Sequence, residues 1–233
     1  MTGYDATIDW DDYWVDADAA ATEQASPASH HAAEVFSAFV TETGAESVAD
    51  VGCGAGAATV PVAEAHPAVE VVGYDAAAPV VERNAARTYL PNLGFDVGRL
   101  PAFDPGRQFD VVFCYFTLPY VRALDRALRA LYDAVAPGGS LVCNYANAAA
   151  REFLQVAADD PHAHADRALV FDPDSYTERW AAVLEGDSVC SAERIEAALG
   201  VEPESAFETV ERPDVQWAWH HFPLVQVSKP ATA

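Results

Sequence analysis

The stretch VADVGCGAGAATVPVA (residues 48–63) decides the fold, because it joins a short β-rich segment to a helical one through a glycine-rich turn. Gly52, Gly54 and Gly56 are separated by single residues, and an alanine-rich segment follows them. Glycine lets a loop turn sharply and approach a ligand closely, while the next helix offers unpaired N–H groups. The stretch therefore predicts a strand, loop and helix unit that holds a cofactor at the end of a strand.

Two classes of cofactor use a loop of this kind. Gly52, Gly54 and Ala57 fit the G-x-G-x-x-A pattern of dinucleotide-binding proteins. Asp50 lies two residues before Gly52, where its carboxylate would repel a pyrophosphate and attract a positively charged cofactor. The loop alone leaves both NAD and a cationic cofactor open, and Asp50 favours the second.

Strands and helices alternate around this loop from residue 29 to residue 145. The patterns predict helices at 30–44, 57–66, 78–90 and 122–135, the last ended by APGG at 136–139, and strands at 47–51, 69–75, 93–98, 109–116 and 140–145. A near-continuous apolar run such as FDVVFCYF (109–116) is typical of a central parallel strand that is buried on both faces. This order predicts an α/β fold with a doubly wound, mostly parallel sheet.

Residues 146 to 233 have a different character. Three helical segments are predicted at 147–159, 175–186 and 191–200, followed by extended segments at 205–212 and 214–228. The extended segments predict a C-terminal antiparallel β-hairpin at the sheet edge. We expect a single domain over 1–233, divided into an N-terminal lid segment (1–28), a cofactor-binding core (29–145), a helical acceptor cap (146–200) and a terminal β-hairpin (201–233).

The charge of the chain is strongly unbalanced. It has 36 Asp and Glu residues against 13 Lys and Arg residues, a formal net charge of -23, and Lys229 as its one lysine. Concentrated salt screens the self-repulsion of such a surface, so the composition predicts adaptation to a salt-loaded cytoplasm, as in halophilic archaea. The acidity argues against nucleic acid as a partner, although less firmly if every protein of such a cell is acidic.

Targeting and cysteine patterns suggest a cytoplasmic protein. The N-terminal MTGYDATIDWDDYW has neither a basic start nor an apolar centre, and no uncharged run approaches the roughly 18 apolar residues of a membrane span. The four cysteines, Cys53, Cys114, Cys143 and Cys190, lack C-x-x-C spacing. We therefore expect no membrane association, no metal site and no disulfide framework.

Four motifs, taken in order, resemble those of class I methyltransferases dependent on S-adenosylmethionine, in the small-molecule branch typified by ubiquinone and sterol methyltransferase-like proteins. The motifs are VADVGCGAG (48–56), VVGYD (71–75), FDVGRLPAF (95–103) and ALRALYDAVAPGGSLVCNY (127–145). Gly98 stands where the family has a second acid, and Ala136 replaces the basic residue usual before P-G-G. The resemblance implies a seven-stranded, Rossmann-like methyltransferase fold, with S-adenosylmethionine as cofactor and S-adenosylhomocysteine as product.

The resemblance also implies a set of cofactor contacts. The glycine loop would hold the amino-acid portion, Asp75 the ribose hydroxyls and Asp96 the adenine amino group, while the N-terminal aromatic residues would fold over the cofactor. The cofactor-binding residues expected in this way are Asp50, Gly52, Cys53, Gly54, Gly56, Asp75, Ala76, Asp96, Val97, Cys114, Tyr115, Tyr13 and Trp14.

Methyl transfer needs an acceptor held in line with the methyl group and shielded from water, and it needs a general base only for a hydroxyl or a protonated amine. The candidate catalytic residues are His30, His31 and Tyr145. Candidate acceptor contacts are Tyr115, Phe116 and Tyr120 after the fourth strand, with Arg179 and Trp180 in the cap. The CYFTLPY sequence at 114–120 is not the N-P-P-Y element of amino methyltransferases, which disfavours methylation of bases or glutamine amides.

Three functions remain open from the sequence. A methyltransferase acting on a small molecule is favoured by the motifs. The alternatives are an NAD-dependent oxidoreductase and a protein that binds S-adenosylmethionine without turnover. The acceptor stays open, as does the oligomeric state, for which a homodimer is one option.

Overall fold

The computed structural model describes residues 7–17, 25, 29–167, 169 and 172–231. Its strands are β1 (Ser47–Val51), β2 (Glu70–Asp75), β3 (Leu93–Val97), β4 (Phe109–Cys114), β5 (Val135–Asn144), β6 (Glu204–Ser205) and β7 (Leu224–Ser228). Its α-helices are α1 (Trp10–Asp16), α2 (Ser29–Thr43), α3 (Thr59–Ala65), α4 (Ala78–Arg87), α5 (Leu124–Asp133), α6 (Ala148–Ala158), α7 (Tyr176–Arg179), α8 (Ala181–Glu185) and α9 (Ala192–Leu199). Short 3-10 helices lie at Leu118–Tyr120, Pro161–His164, Ala206–Glu208 and Gln216–Trp219.

The seven strands form one sheet in the order β3-β2-β1-β4-β5-β7-β6. Strands β1 to β5 pair in parallel, whereas β7 pairs antiparallel with both β5 and β6. The sheet order reverses at β1 and β4, and ligands bind at such a reversal, outside the carboxyl ends of the strands. The prediction of a doubly wound, mostly parallel, seven-stranded sheet with antiparallel C-terminal strands is confirmed.

Apolar helices cover both faces of the central strands. On one face, Leu128 and Leu131 of α5 pack against Leu141 of β5. On the other, Phe36 of α2 stacks on Phe113 of β4 with ring centroids 4.0 Å apart. All five side chains are fully buried, and burial of each contributes about 1.5 to 3 kcal/mol to folding. This double coverage explains why the β4 sequence is a continuous apolar run.

The boundary between α5 and β5 differs from the prediction. The helix ends at Asp133, and the Pro-Gly-Gly sequence lies inside β5 instead of terminating the helix. A Cβ on Gly139 would lie 2.4 Å from the Asp110 carbonyl oxygen, so glycine permits a close approach to β4 there. The main chain of Lys229 also bonds to Gly138 and Gly139. These contacts extend the strand through a sequence that is typical of a helix end.

The tail is also less extended than predicted. Only Glu204–Ser205 and Leu224–Ser228 are strands, and 3-10 helices occupy much of the chain between them. Val210, Val215 and Trp219 are buried in the cluster formed with α2, so this segment covers the sheet instead of extending it. Other predicted elements are shorter: the segment 175–186 divides at Trp180, the helix from 78 ends at Arg87, and the strand from 109 ends at Cys114.

Candidate active site

The glycine loop after β1 has backbone conformations that favour glycine. The φ angles of Gly52, Gly54 and Gly56 are +83°, +50° and +78°, all in the left-handed region. The N–H groups of Gly52 and Cys53 both donate to the Tyr74 carbonyl oxygen, at 2.7 and 2.9 Å, which bends the chain toward the end of β2. A Cβ on Gly52 would lie 1.9 Å from Thr117 Oγ1, so this position has no room for a side chain.

Asp75, the last residue of β2, holds the loop from the side. Its Oδ2 accepts a hydrogen bond from Gly54 N at 2.8 Å, and its Oδ1 accepts from Ala77 N at 3.0 Å. Burial raises the pKa of this carboxyl, and the hydrogen bonds from Ala77 and Gly54 oppose that rise. Each carboxylate oxygen has a further lone pair, so Asp75 can accept hydrogen bonds from a ligand while it holds the loop.

A cavity of about 710 Å³, including space at its mouth, opens beside Asp75. Its walls come from the glycine loop, the end of β2, the segments following β3 and β4, and the N-terminal segment. The lining residues are Trp10, Trp14, Ala25, Val51, Gly52, Gly54, Asp75, Ala76, Gly98, Leu100, Tyr115, Phe116, Thr117, Tyr120 and Val121. Asp75 is the one ionisable carboxylate or basic group in this described lining, and aromatic side chains form much of the rest.

Asp50 and Cys53 lie beneath the loop and do not line the cavity. The Asp50 carboxylate is 2% exposed and accepts a hydrogen bond from Thr59 Oγ1 at 2.6 Å. The pKa of Asp50 is raised to about 7, mainly by burial and in smaller part by the charge of Asp75, while the Thr59 hydrogen bond opposes the rise. Burial also raises the pKa of the Cys53 thiol well above its usual value. Asp50 therefore joins β1 to α3, and Cys53 is an unreactive, neutral thiol.

Helix α1 covers the cavity with aromatic side chains. Trp10 and Trp14 both line it, and Trp14 is 3% exposed because it packs against Ala77 and Val80. Arg83 of α4 donates a hydrogen bond to the Trp14 carbonyl oxygen at 3.0 Å. These contacts attach α1 to α4, directly after the Asp75 strand.

Tyr13 of α1 lies outside the cavity lining, and its ring contacts the rings of Trp10 and Trp14, with centroids 5.3 Å apart in each pair. The Arg179 guanidinium of α7 lies 5.3 Å from the Tyr13 ring centroid and 5.8 Å from that of Trp10. Cations bind to aromatic faces at such distances. Helix α1 is therefore held between α4 and the helices of residues 146–200.

Phe116 has an unusual backbone conformation at the end of β4. Its φ angle is +54°, in a region that residues with side chains rarely adopt, and its N–H donates to Asn144 Oδ1 at 2.6 Å. The Phe116 ring lines the cavity and lies 4.9 Å from the Phe222 ring, between centroids. Asn144 thus fixes a strained turn that directs an aromatic ring to the cavity.

The three predicted catalytic residues are not brought to this cavity. His30 is exposed, and His31 lies beside Glu34, with Nδ1 3.9 Å from Oε2, because the start of α2 turns toward the surface. Tyr145 is buried in the cluster on the α5 face and lines a different cavity with Cys190 and Arg194. Burial raises the pKa of Tyr145 to about 12, so its phenol is neutral near pH 7. None of the three lines this cavity, and their catalytic roles stay predictions.

Four further predicted cofactor contacts, Gly56, Asp96, Val97 and Cys114, also lie outside the cavity lining. Asp96 is exposed and its Oδ1 accepts a hydrogen bond from Val97 N at 2.7 Å, while Val97 is itself 39% exposed. Cys114 is fully buried in the α5-face cluster, in register with Cys143 of β5. The structure instead places Gly98 and Leu100 at the end of the cavity near β3.

Sequence reasoning missed several lining residues, namely Gly98, Leu100, Thr117 and Val121. Thr117 and Val121 follow β4, and the carboxyl ends of parallel strands gather around the ligand site, which is a signal that could have identified them. The described residues contain no group of three or more His, Cys, Asp or Glu side chains suited to a metal ion. Within the same residues, no helix combines the length and apolar character needed to cross a bilayer.

Residues 49–141 match a protein family described as "Methyltransferase domain". Curated relatives are named trans-aconitate 2-methyltransferase. The protein of Methylobacterium radiotolerans is 32% identical over 120 residues, covering 50% of this chain and 45% of the relative. That of Deinococcus radiodurans is 29% identical over 126 residues, covering 54% of this chain and 43% of the relative. The chain thus spans less than half the length of these relatives.

Solved structures extend the similarity over most of the chain. The plantazolicin methyltransferase BpumL in complex with SAH (S-adenosylhomocysteine) has a TM-score of 0.61 and 11% identity, covering 87% of this chain and 84% of that one. An O-methyltransferase family protein from Burkholderia thailandensis has a TM-score of 0.58 and 18% identity, covering 88% and 57%. At these identities the likeness establishes the fold, which is that of Rossmann-like methyltransferases.

Proposed function

We propose that this chain, whose residues 49–141 form a methyltransferase domain, transfers a methyl group from S-adenosylmethionine to a small-molecule acceptor. The observation that carries the proposal is the buried Asp75 carboxylate, which lines a cavity directly beside a left-handed glycine loop. The family match and the methyltransferase fold support it. The family match also supports S-adenosylmethionine over NAD as the cofactor, since the family matched over residues 49–141 is one of methyltransferases.

The residues around the cavity fit this cofactor. Gly52 and Gly54 bring main chain to the cavity wall without side chains, and Asp75 keeps lone pairs that can accept from the ribose hydroxyls. S-adenosylmethionine, when bound, supplies a methyl carbon on a sulfonium, whose carbon–sulfur bond breaks with both electrons returning to sulfur as S-adenosylhomocysteine forms.

The chain itself excludes water and positions the acceptor. Trp10 and Trp14 close the cavity, and Phe116 and Tyr120 present rings on the side built after β4. The phenols of Tyr115 and Tyr120 both have a pKa raised by burial, so neither is a base near neutral pH. The described lining therefore offers no evident general base, which favours an acceptor atom that is already deprotonated in water.

A carboxylate is one such acceptor. The curated relatives are named for trans-aconitate, a polycarboxylic acid, and this name supports a carboxylic acid as the acceptor class for this chain. A carboxylate oxygen loses no proton on methylation, in agreement with a lining that contains no evident base. We propose a small carboxylic acid as acceptor, with trans-aconitate as the first compound to assay.

Calorimetry with two ligands and one matched pair of variants tests the proposed function. We expect the wild-type chain to bind SAH and not NAD. Asp75→Ala should weaken SAH binding about 10- to 100-fold, because hydrogen bonds to a charged group are lost. The matched control is Asp104→Ala, since Asp104 is exposed and accepts a hydrogen bond only from Gly106 N in a surface turn.

Three results would contradict these assignments. Binding of NAD instead of SAH would favour an oxidoreductase, and an Asp75→Ala variant with wild-type affinity would remove Asp75 from the site. A chain that binds SAH but methylates no carboxylic acid in a radiolabelled-methyl assay would return attention to other acceptors and to a non-catalytic binding role.

The proposal also includes the cellular environment of the protein, its partners and the role of residues 146–200. The charge of -23 supports an origin in a salt-loaded cytoplasm, such as that of a halophilic archaeon, and argues against nucleic acid as a partner. All four cysteines are free and buried, in keeping with a reducing compartment. Residues 146–200 would form the acceptor cap, since Tyr176 and Trp180 pack in one cluster with Phe116 and Tyr120.

A further inference from the structure

Tyr120 carries a buried hydroxyl group at the cavity wall. The residue lies in the 3-10 helix that follows β4, is 5% exposed and lines the cavity. Within the described part of the chain, Tyr120 Oη has no hydrogen-bond acceptor in reach. A buried donor left unsatisfied costs about 1 to 3 kcal/mol, so a hydroxyl of this kind in a cavity wall points to a ligand atom as its acceptor.

The guanidinium of Arg179 is the charged neighbour of this hydroxyl. Arg179 is 2% exposed, and burial opposes its charge, but the phenols of Tyr120 and Tyr13 raise the pKa of Arg179 above its usual value. A guanidinium has only donors, so Arg179 cannot accept the Tyr120 O–H proton. The Tyr120 O–H proton is therefore left to donate to a ligand atom.

The position of Arg179 also gives the cavity an asymmetric charge. The Trp10 ring, 5.8 Å from the guanidinium, and the Tyr120 ring both line the cavity, so the cation lies one side chain behind its wall. Asp75 supplies negative charge where the glycine loop meets β2. In a low-dielectric site, a cation at this distance favours an anionic group on the Tyr120 side.

We propose that Tyr120 and Arg179 form an anion-recognition site for the acceptor, in which the Tyr120 hydroxyl donates to a carboxylate oxygen and Arg179 holds the hydroxyl and balances the charge. This inference rests on the proposed methyltransferase function and adds the residues that select the acceptor. Tyr120 contacts the acceptor directly, and Arg179 is a positioning residue that acts through Tyr120.

Calorimetry on the full chain saturated with SAH tests this site. The probes are propane-1,2,3-tricarboxylate, succinate and benzoate, each with its neutral amide. We expect wild type to bind at least one carboxylate and to bind its amide at least tenfold more weakly. Tyr120→Phe, which removes one oxygen atom, should weaken carboxylate binding by about tenfold or more and abolish the preference over the amide. Its affinity for SAH should stay within about twofold of wild type.

Two further comparisons separate recognition from folding. Tyr132→Phe is the matched control, since Tyr132 Oη donates to the Ser228 carbonyl oxygen at 3.2 Å on the exposed surface, and it should behave as wild type. Arg179→Met should lose the preference for carboxylate and Arg179→Lys should recover part of it. If the Arg179 variants do not fold, the Tyr120→Phe result alone decides whether the anion-recognition site is present.

The outcomes distinguish this site from the proposed function. Absence of carboxylate binding in wild type, equal binding of the amide, or full carboxylate affinity in Tyr120→Phe would each overturn the anion site while leaving SAH binding intact. A chain that fails to bind SAH but binds carboxylates through Tyr120, in a titration without SAH, would keep the anion site and overturn the proposed methyltransferase.

Discussion

The Asp50 carboxyl makes the free energy of unfolding depend on pH. Its carboxyl is buried beneath the glycine loop, with a pKa raised to about 7 mainly by the loss of solvent. An unfolded aspartate has a pKa of about 3.9. Between these two values the native state binds more protons than the unfolded state, so the free energy of unfolding falls as pH rises through this window and levels above it.

Asp50→Asn should remove this pH dependence while keeping an oxygen that accepts from Thr59 Oγ1. We expect the variant to gain stability relative to wild type as pH rises, from near zero at pH 4 to at most about 4 kcal/mol at pH 8. Urea unfolding at each pH unit measures the difference. Asp104→Asn, at an exposed position, should show no such trend. A difference that is independent of pH would show that the Asp50 carboxyl titrates normally.

The sequence predicts those residues whose role follows from the conformation of the chain immediately around them. Gly52, Gly54 and Asp75 follow from a loop that must turn in the left-handed region and from a strand that must end in an acid. Thr117 and Asn144 could not be predicted in the same way, because their roles come from contacts across the sheet, Thr117 with the Gly52 position and Asn144 with Phe116 N. Asp96 is exposed and lies outside the cavity lining, which shows that a motif position does not determine which way a side chain points.

Helix α1 is an acidic and aromatic element held by basic side chains from three parts of the chain. Arg83 of α4 bonds to the Trp14 carbonyl oxygen, Arg99 lies 4.0 Å from Asp11, and Arg179 of α7 covers Trp10 and Tyr13. In a chain with 13 basic residues, three are committed to one seven-residue helix. This concentration supports a role for α1 in closing the cavity.

Two neighbouring residues of α1 offer a matched test of this closure. Trp14 is 3% exposed and lines the cavity, whereas Val15 is 61% exposed. Trp14→Ala should weaken SAH binding by about tenfold or more, since water enters the site and charge interactions there weaken. Val15→Ala should bind SAH as wild type does. Calorimetry measures both, and thermal melting verifies that the core of each variant is folded.

Equal affinity in the two variants would mean that α1 only covers the sheet edge, as an aromatic stretch can. Reduced affinity together with a much lower melting temperature would assign Trp14 to folding instead of closure. The expected combination is a lower SAH affinity in a variant whose transition remains cooperative.

Periodicity predicts elements where one pattern dominates and fails where two patterns compete. The apolar stripe of α5 and the continuous run of β4 were recognised because each is long and regular. Pro-Gly-Gly was interpreted as a helix end, yet it lies in β5, where Gly139 meets the Asp110 carbonyl oxygen. The aromatic tail has the composition of a strand, yet residues Gln216–Trp219 form a 3-10 helix. This conformation buries Trp219 in the cluster formed with α2.

At the scale of the whole molecule, net charge sets how stability depends on salt. The charge of -23 produces repulsion that acts over about 10 Å at 0.1 M salt and only about 3 Å at 1 M. Ion pairs such as Arg107 with Glu70 neutralise only part of this charge, and they are exposed to solvent. We therefore expect charge repulsion to destabilise the folded protein more than these ion pairs stabilise it in dilute buffer.

The melting temperature should accordingly rise by roughly 5 to 15 °C between 0.1 and 2 M KCl, with most of the rise below about 1 M, where screening becomes complete. Thermal melts monitored by circular dichroism measure this. Sucrose at matched osmolality serves as the uncharged control and should give a smaller rise. A decrease with KCl, or equal effects of KCl and sucrose, would contradict a stability governed by charge repulsion.

The fold class was predictable from the whole sequence, and the complete strand order was not. Strands β1 to β5 pair in parallel because each connection between them returns the chain to the same end of the sheet. The position of β7 between β5 and β6 depends on pairings between segments far apart in sequence, which no local pattern encodes.

That position also has a consequence for biosynthesis. Strands β1 to β5 can pair as soon as residue 144 has left the ribosome, but the outer edge of β5 stays open until residues 224–228 arrive, and β6 is bonded in the sheet to β7 alone. At about 5 to 20 residues per second, translation leaves that edge unpaired for several seconds on each nascent chain. An open, apolar strand edge is a template for pairing with another chain. The antiparallel pairing of β7 with β5 closes this template when residues 224–228 emerge.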